Sequence, residues 1–369
     1  MSAFRCAHSS GASWQDCVEA CAAQLGAVGG GLGFVYFTDA LEPHAERIVA
    51  ELRGQTGIVD WVGTVGVGIV ATGIEYLDEP ALAVMATGLR EGEYHVFSGR
   101  SRAPEAPGAS HFGVVHADPN TPDVAALIAD MSAKVESGYL VGGLSSSRGR
   151  TVQVAKDVLS GGISGVVLSR EVGVTTRLTQ GCTPLAGGAA RHRVTECVRN
   201  VLVTLDGRPA LDVFREDIGE LLARDLERAA QFVHVGLSVP GSGQSDRRSG
   251  GDYLVRNVVA IDPRQKVIAI GDEVERNAEI LFCKRDAASA REDLGRILGE
   301  LKQAVSAPMR GGLYFSCIGR GEHMFGRRGA ELEQVREALG DLPLVGFFCS
   351  GEISHDRLYG YTGVLTVFH

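Results

Sequence analysis

The sequence predicts an α/β protein of the mixed α+β kind, and three observations carry that reading. An apolar strand, an amphipathic helix and two further apolar strands follow one another three times along the chain. In each copy the second strand holds a Val-Gly pair. The separation from first strand to that pair is 28 residues (Phe34 to Val62), 29 (Phe112 to Val141) and 32 (Leu313 to Val345). A connection of that length suits a parallel crossover through a helix. Similarity at this period reads as internal duplication. The expected architecture is a layered helix/sheet/sheet/helix arrangement in two domains, 1–180 and 181–369, with the boundary near Gly181.

In chain order, Trp14, Cys17, Val18, Cys21 and Leu25 predict an opening helix, with Ser13 and Asp16 as its capping pair. The first unit has strands at Leu32–Phe37, Asp60–Val70 and Ala81–Ala86, and a helix carrying Ala45, Ile48, Val49 and Leu52. A loop rich in Pro, Gly and Ser, Ser98–Ser110, leads to the second unit. Its strands are His111–His116, Tyr139–Leu144 and Gly165–Ser169, and its helix carries Val124, Leu127, Ile128, Met131 and Val135. A different region follows. His192–Thr204 alternates, Ile218, Leu221 and Leu222 predict a helix, Gly241–Gly251 reads as a mobile loop, and Tyr253–Ala260 with Lys266–Ile270 reads as a hairpin around Asp262-Pro263. Ala290 to Leu301 is a strong amphipathic helix. The third unit runs from Gly311 to Phe368.

Bulk properties narrow the function classes. The 369 residues are 44% hydrophobic and 22% charged, with a net charge of −9. That balance opposes nonspecific nucleic-acid binding, which needs a basic footprint. No apolar run reaches the roughly 18 residues of a membrane helix. Met1–Ser13 lacks the apolar centre of a signal peptide, so a cytoplasmic protein is expected. The eight cysteines are dispersed and read as reduced thiols. Gly66-x-Gly68-x-x-Ala71 resembles a dinucleotide fingerprint, but turn and strand follow it where a helix is required. There is no phosphate loop, Gly-x-Ser-x-Gly elbow, Cys-x-x-Cys or His-Glu-x-x-His, so neither a metal nor another cofactor is predicted.

Four clusters at strand ends remain as candidate ligand sites. Cys317, Gly319, Arg320 and Gly321 leave one strand through a turn where backbone N–H groups and Arg320 can meet an anion. Cys349, Gly351 and Glu352 end the next strand, with Glu352 suited to an amine or hydroxyl. Ser145, Ser146 and Ser147 hold the same place in the second unit, and Cys182 sits in Gln180-Gly-Cys-Thr-Pro184. Ligands of α/β sheets gather at the carboxyl ends of strands, so these clusters are expected to share a cleft.

At these residues the chain resembles the FIST family, whose members carry paired N- and C-terminal FIST domains. Four segments carry the resemblance: Gln180–Pro184, Val203–Ala210, Phe315–Gly321 and Gly346–Ile353. The N-terminal half shows Trp61-Val-Gly63 followed by Thr64-Val-Gly66, in place of a turn richer in Ser or Cys. The resemblance implies a sensory module for small ligands such as amino acids, with bacterial signalling domains among its usual fusions. Since no such segment is left over here, a separate signalling partner is implied. The sequence leaves room for a homo-oligomer. Two alternatives accompany the leading expectation of a non-enzymatic sensor. One is a haem-binding nitric-oxide sensor, which rests on the family resemblance alone. The other is an enzyme with Cys317 as nucleophile and His323 or His355 as base.

Overall fold

The computed structural model describes residues 4–99, 101, 108–185, 191–239 and 253–369. They form a mixed α+β structure in two compact units. Residues 1–179 and 291–369 make the first, and 180–290 the second. Among the described residues no helix is long and apolar enough to cross a membrane. The predicted loop Gly241–Gly251 and most of Ser98–Ser110 lie outside the described residues.

The first unit opens with β1 (Arg5–Ser10), α1 (Trp14–Leu25), β2 (Leu32–Thr38), α2 (Ala45–Thr56), β3 (Asp60–Gly66), β4 (Gly68–Ala71), β5 (Ile74–Leu77) and β6 (Ala81–Ala86). Ser13 caps α1 as its sequence predicts, its hydroxyl accepting from Asp16 N at 3.2 Å. Next come β7 (Tyr94–Phe97), β8 (Phe112–Ala117), α3 (Val124–Ser132), β9 (Tyr139–Leu144), β10 (Gln153–Ala155), β11 (Asp157–Leu159), β12 (Ile163–Leu168) and β13 (Val174–Gln180).

The second unit holds β14 (Cys182–Pro184), β15 (His192–Val198), β16 (Val201–Leu205), β17 (Arg208–Pro209), α4 (Ala210–Ala223), α5 (Leu226–Phe232), β18 (Val233–Ser238), β19 (Tyr253–Asp262), β20 (Val267–Ile270) and β21 (Glu279–Arg285). Strands β21, β15, β16, β20, β19 and β18 pair in that order, and β18 pairs back onto β21. These six strands therefore close into a ring, with β14 pairing on β21 and β17 on β16 beside it. Its core joins Leu202, Val235, Ile268 and Phe282 to Leu211 and Phe214 of α4.

The chain continues through α6 (Ala287–Ala304), β22 (Gly311–Cys317), α7 (Glu322–Phe325), α8 (Ala330–Leu339), β23 (Leu344–Cys349), β24 (Glu352–Ser354), β25 (Arg357–Tyr359) and β26 (Thr362–Phe368).

Three six-stranded sheets make the first unit, and they share one strand order. They read β1-β6-β2-β3-β10-β11, β7-β12-β8-β9-β24-β25 and β13-β26-β22-β23-β4-β5. Each is an edge strand, then the third, first and second strands of one sequence unit, then a hairpin. The hairpin always comes from another unit. The expected strand Asp60–Val70 is thus two strands, since the chain leaves the first sheet after Gly66 and enters the third at Gly68. The sequence could not show this break, because both pieces are buried and apolar.

The Val-Gly pairs have one physical cause. Each glycine sits opposite a first-strand residue in a parallel pair: Val35↔Gly63, Val115↔Gly142 and Tyr314↔Gly346. A Cβ on the glycine would meet that residue's carbonyl oxygen at 1.6, 1.8 and 1.8 Å, respectively. The residues after those carbonyls, Tyr36, His116 and Phe315, meet in the shared core. Their ring centroids lie 5.5 to 6.2 Å apart. His116 Nε2 is 3.1 Å from Tyr36 Oη, and burial pushes the imidazole down to about 3, so it is neutral.

Candidate functional site

Strands β22 and β23 run parallel and end on register partners, Cys317 and Cys349. Beyond β22 the chain turns through Ile318–Gly321. Ile318 N donates to Cys349 O at 3.0 Å and Arg320 N donates to Cys317 O at 2.8 Å. Gly321 permits the turn, with φ of 56°. Beyond β23 the chain crosses into the second sheet, where Glu352 opens β24 opposite Gly143 of β9. Gly143 has to be glycine, since a Cβ there would stand 2.3 Å from Cys349 Sγ.

Glu352 is fully buried. Its Oε2 accepts from Thr362 Oγ1 at 2.7 Å and from Thr362 N at 3.1 Å. Its Oε1 has no conventional hydrogen-bond partner, and its neighbour is the Cys317 thiol, a weak donor. Burial pushes this carboxyl up to about 8, against the pull of the Thr362 donors, the Arg320 charge and the thiol. Both thiols are pushed up as well, by burial first and then by the Glu352 charge; Cys317 adds to the effect on Cys349.

Arg320 is also fully buried. Its Nε donates to Glu331 Oε1 at 2.8 Å, and Nη2 lies 2.6 Å from the same oxygen. The guanidinium sits 5.3 Å from the centroid of the Phe325 ring. Its Nη1 makes no conventional hydrogen bond, and besides Glu331 the guanidinium meets the Tyr314 hydroxyl. Glu331, from the first turn of α8, also accepts from Tyr314 Oη at 2.6 Å, Ser316 Oγ at 3.2 Å and Gly321 N at 3.3 Å. Glu75 of β5 is buried close by, its carboxyl pushed up to about 7 by burial and, among charges, by Glu331. Amides of Gly329 and Glu322 oppose that shift.

The structure brings Cys317, Gly319, Arg320, Gly321, Cys349, Gly351 and Glu352 together at one end of β22 and β23. The serines are close but do other work. Ser145 Oγ lies 2.6 Å from Thr64 Oγ1. Ser146 Oγ donates to Phe348 O at 2.5 Å and accepts from Val67 N at 2.9 Å, which ties three strand ends together. Ser147 Oγ accepts from Gly149 N at 3.0 Å, inside its own turn. Leu144 N donates to Gly351 O at 2.8 Å. Cys182 belongs to the second unit, where Tyr253 Oη donates to its carbonyl at 2.7 Å and its thiol meets Cys283.

Sequence reading missed Glu331, Glu75 and Thr362. A signal existed for the first, because Glu331 and Val335 are four residues apart on the buried face of one helix. A charge inside an apolar stripe needs a buried partner.

Residues 31–208 match the FIST N domain and residues 210–355 the FIST C domain. The chain belongs to the FIST family. FIST domains are generally small-ligand sensory domains. A protein of Mycobacterium tuberculosis strain H37Rv, described as uncharacterized, is 31% identical over 346 residues, which span 88% of this chain and 87% of that one. An uncharacterized protein of Mycobacterium bovis is 29% identical over 350 residues, spanning 88% of each. The two FIST segments join near residue 209, between β17 and α4, inside the second compact unit.

Proposed function

We propose that this FIST protein is a cytoplasmic sensor of an amino acid or similar small carboxylate, signalling through a separate partner protein. One observation carries the reading. A buried acceptor, Glu352 Oε1, and a buried donor, Arg320 Nη1, are left without a conventional hydrogen bond at the same strand ends, where the Cys317 thiol is near the carboxyl and the Tyr314 hydroxyl near the guanidinium. An unpaired buried polar group costs about 1–3 kcal/mol, so such groups call for a ligand or water. The ammonium of an amino acid matches the first and its carboxylate the second. Glu331 fixes the guanidinium by its other edge, leaving Nη1 as the ligand's contact. Both groups are enclosed, so binding requires the turn Ile318–Gly321, whose crest Ile318 is 38% exposed, to open. The common topology of the three sheets is read as internal duplication, with the site kept in the third copy.

The protein is read as non-enzymatic, since His355, one of the bases the sequence offers to Cys317, is held by Asp356 at 2.9 Å instead. Haem would need a His or Cys facing a macrocycle-sized cavity. His116 instead packs among Tyr36, Phe315 and Phe347, and Cys349 packs against Gly143. Calorimetry with a panel of amino acids and small carboxylates tests the reading. Wild type should bind a member of the panel, and Glu352→Gln, which keeps an acceptor for Thr362, should lose at least about tenfold in affinity. Equal binding by both proteins, or no binding by wild type, overturns it.

A further inference from the structure

Cys317 and Cys349 are the last residues of adjacent strands and register partners. Neighbouring strands lie about 4.8 Å apart, within the roughly 4.4–6.8 Å between Cα atoms that a disulfide spans. In register, the two side chains leave the same face of the sheet. Being terminal, both can adjust without breaking the ladder behind them. Both thiols sense the charge of Glu352, and Cys349 senses Cys317. Glu352 is the second, independent feature: a fully buried carboxyl that meets the Cys317 thiol and whose Oε1 makes no conventional hydrogen bond.

We propose that Cys317 and Cys349 are a redox-active dithiol that closes to a disulfide with a peroxide as oxidant, and that Glu352 controls the rate of closure. Cys317 is partly exposed and reacts first, while Cys349 is buried and resolves. The Cys317 thiolate attacks one peroxide oxygen and the O–O bond breaks. The departing hydroxide takes up the proton released by the thiol and leaves as water. Cys317 is then a sulfenic acid. Sγ of Cys349 attacks that sulfur, the S–O bond breaks, the S–S bond forms, and a second water carries off the remaining proton. Two thiols lose two electrons and the peroxide gains them.

Control follows from charge. Ionised Glu352 disfavours both thiolates, so it holds the pair reduced. Neutralising it, by a proton or by a cation placed on Oε1, releases that restraint. The other charged or titratable groups acting here are Arg320, backed by Glu331 and Tyr314, and Tyr36 of β2, which faces Cys349. Arg320 favours the Cys317 thiolate but is neutralised by its partner Glu331.

The test uses the full chain without ligand, so its outcome is independent of the amino-acid reading. Wild type and Glu352→Gln are treated with hydrogen peroxide at about pH 9, where Glu352 is ionised, and at about pH 6.5, where it is largely protonated. Free thiols are then alkylated and the protein is mapped by mass spectrometry. Both proteins should yield a Cys317–Cys349 peptide lighter by two hydrogens and restored by dithiothreitol, distinct from any Cys182–Cys283 peptide. Glu352→Gln should form it at least about threefold faster than wild type at the higher pH and at the same rate at the lower. In Cys349→Ser, dimedone should trap a sulfenic acid at Cys317. No cross-linked peptide in folded protein overturns the dithiol. A rate ratio that is the same at both pH values overturns control by Glu352.

Discussion

Glu352 is a carboxyl group enclosed in protein with one oxygen satisfied and the other facing a thiol. Its proton balance sets a pH dependence for the whole fold. The group stays protonated to about 8 when folded, against its usual 4.5. Below 4.5 both states hold the proton. From there to about 8 only the folded state keeps it, so stability falls as pH rises through that window and is level above it. Glu75 acts with the same sign up to about 7. His116 acts in the opposite sense: its folded value near 3, against 6.5, costs stability as pH falls from 6.5 towards 3. The predicted optimum therefore lies between these losses. Glu352→Gln removes one of them, so its advantage over wild type in urea midpoint should be larger at pH 8 than at pH 5, by roughly a few kcal/mol in stability. An unchanged difference at the two pH values would sink this account. At this scale the sequence was partly legible. Cys317, Arg320, Cys349 and Glu352 stood out because glycines flank them at the ends of apolar runs. Glu331 did not, because its choice of Arg320 as partner is made by how α8 packs on β22.

The second strand of each unit shows which features of an element are legible and which are not. A Val-Gly pair can be read because its cause lies within one parallel strand pair, where the first strand's carbonyl leaves no room for a Cβ. Gly346→Ala would place a methyl 1.8 Å from Tyr314 O and force β22 and β23 apart, at a cost of about 3 kcal/mol. Gly54→Ala is the contrasting case. Nothing lies within 4 Å of its Cβ on the exposed face of α2, so about 0.5–1 kcal/mol should be gained. Thermal melts of the two variants should shift in opposite directions, and a tolerated Gly346→Ala would show that the strand contact is softer than argued. The hairpins were not legible in the same way. β4–β5 reads locally as a strand and a turn, yet its partner is β23, more than 270 residues away. Hydrophobic alternation fixes which face of a strand is buried, but it does not name the neighbour.

The exchange of hairpins makes the first unit a closed cycle. The first unit's hairpin completes the third sheet, the third's completes the second, and the second's completes the first. A chain cut after Thr179 keeps β1–β12 and all but the last residue of β13, but loses β23, on which β4–β5 pairs, and β24, which covers β9. It also loses Phe315, Phe347, Val364 and Phe368 from the shared core. With so much apolar surface bared, residues 1–179 alone should not melt cooperatively. The fragment 287–369 lacks β9, on which its own hairpin pairs, and β4, on which β23 pairs, and should also be unfolded. Mixed, the two hold all three sheets and differ from the intact unit only by the missing covalent link. That link affects loop-closure entropy, which grows slowly with length, so association should restore a cooperative melt. Circular dichroism of each fragment and of their equimolar mixture checks this. A cooperative melt from residues 1–179 alone would mean that the hairpin exchange decorates the fold instead of closing it.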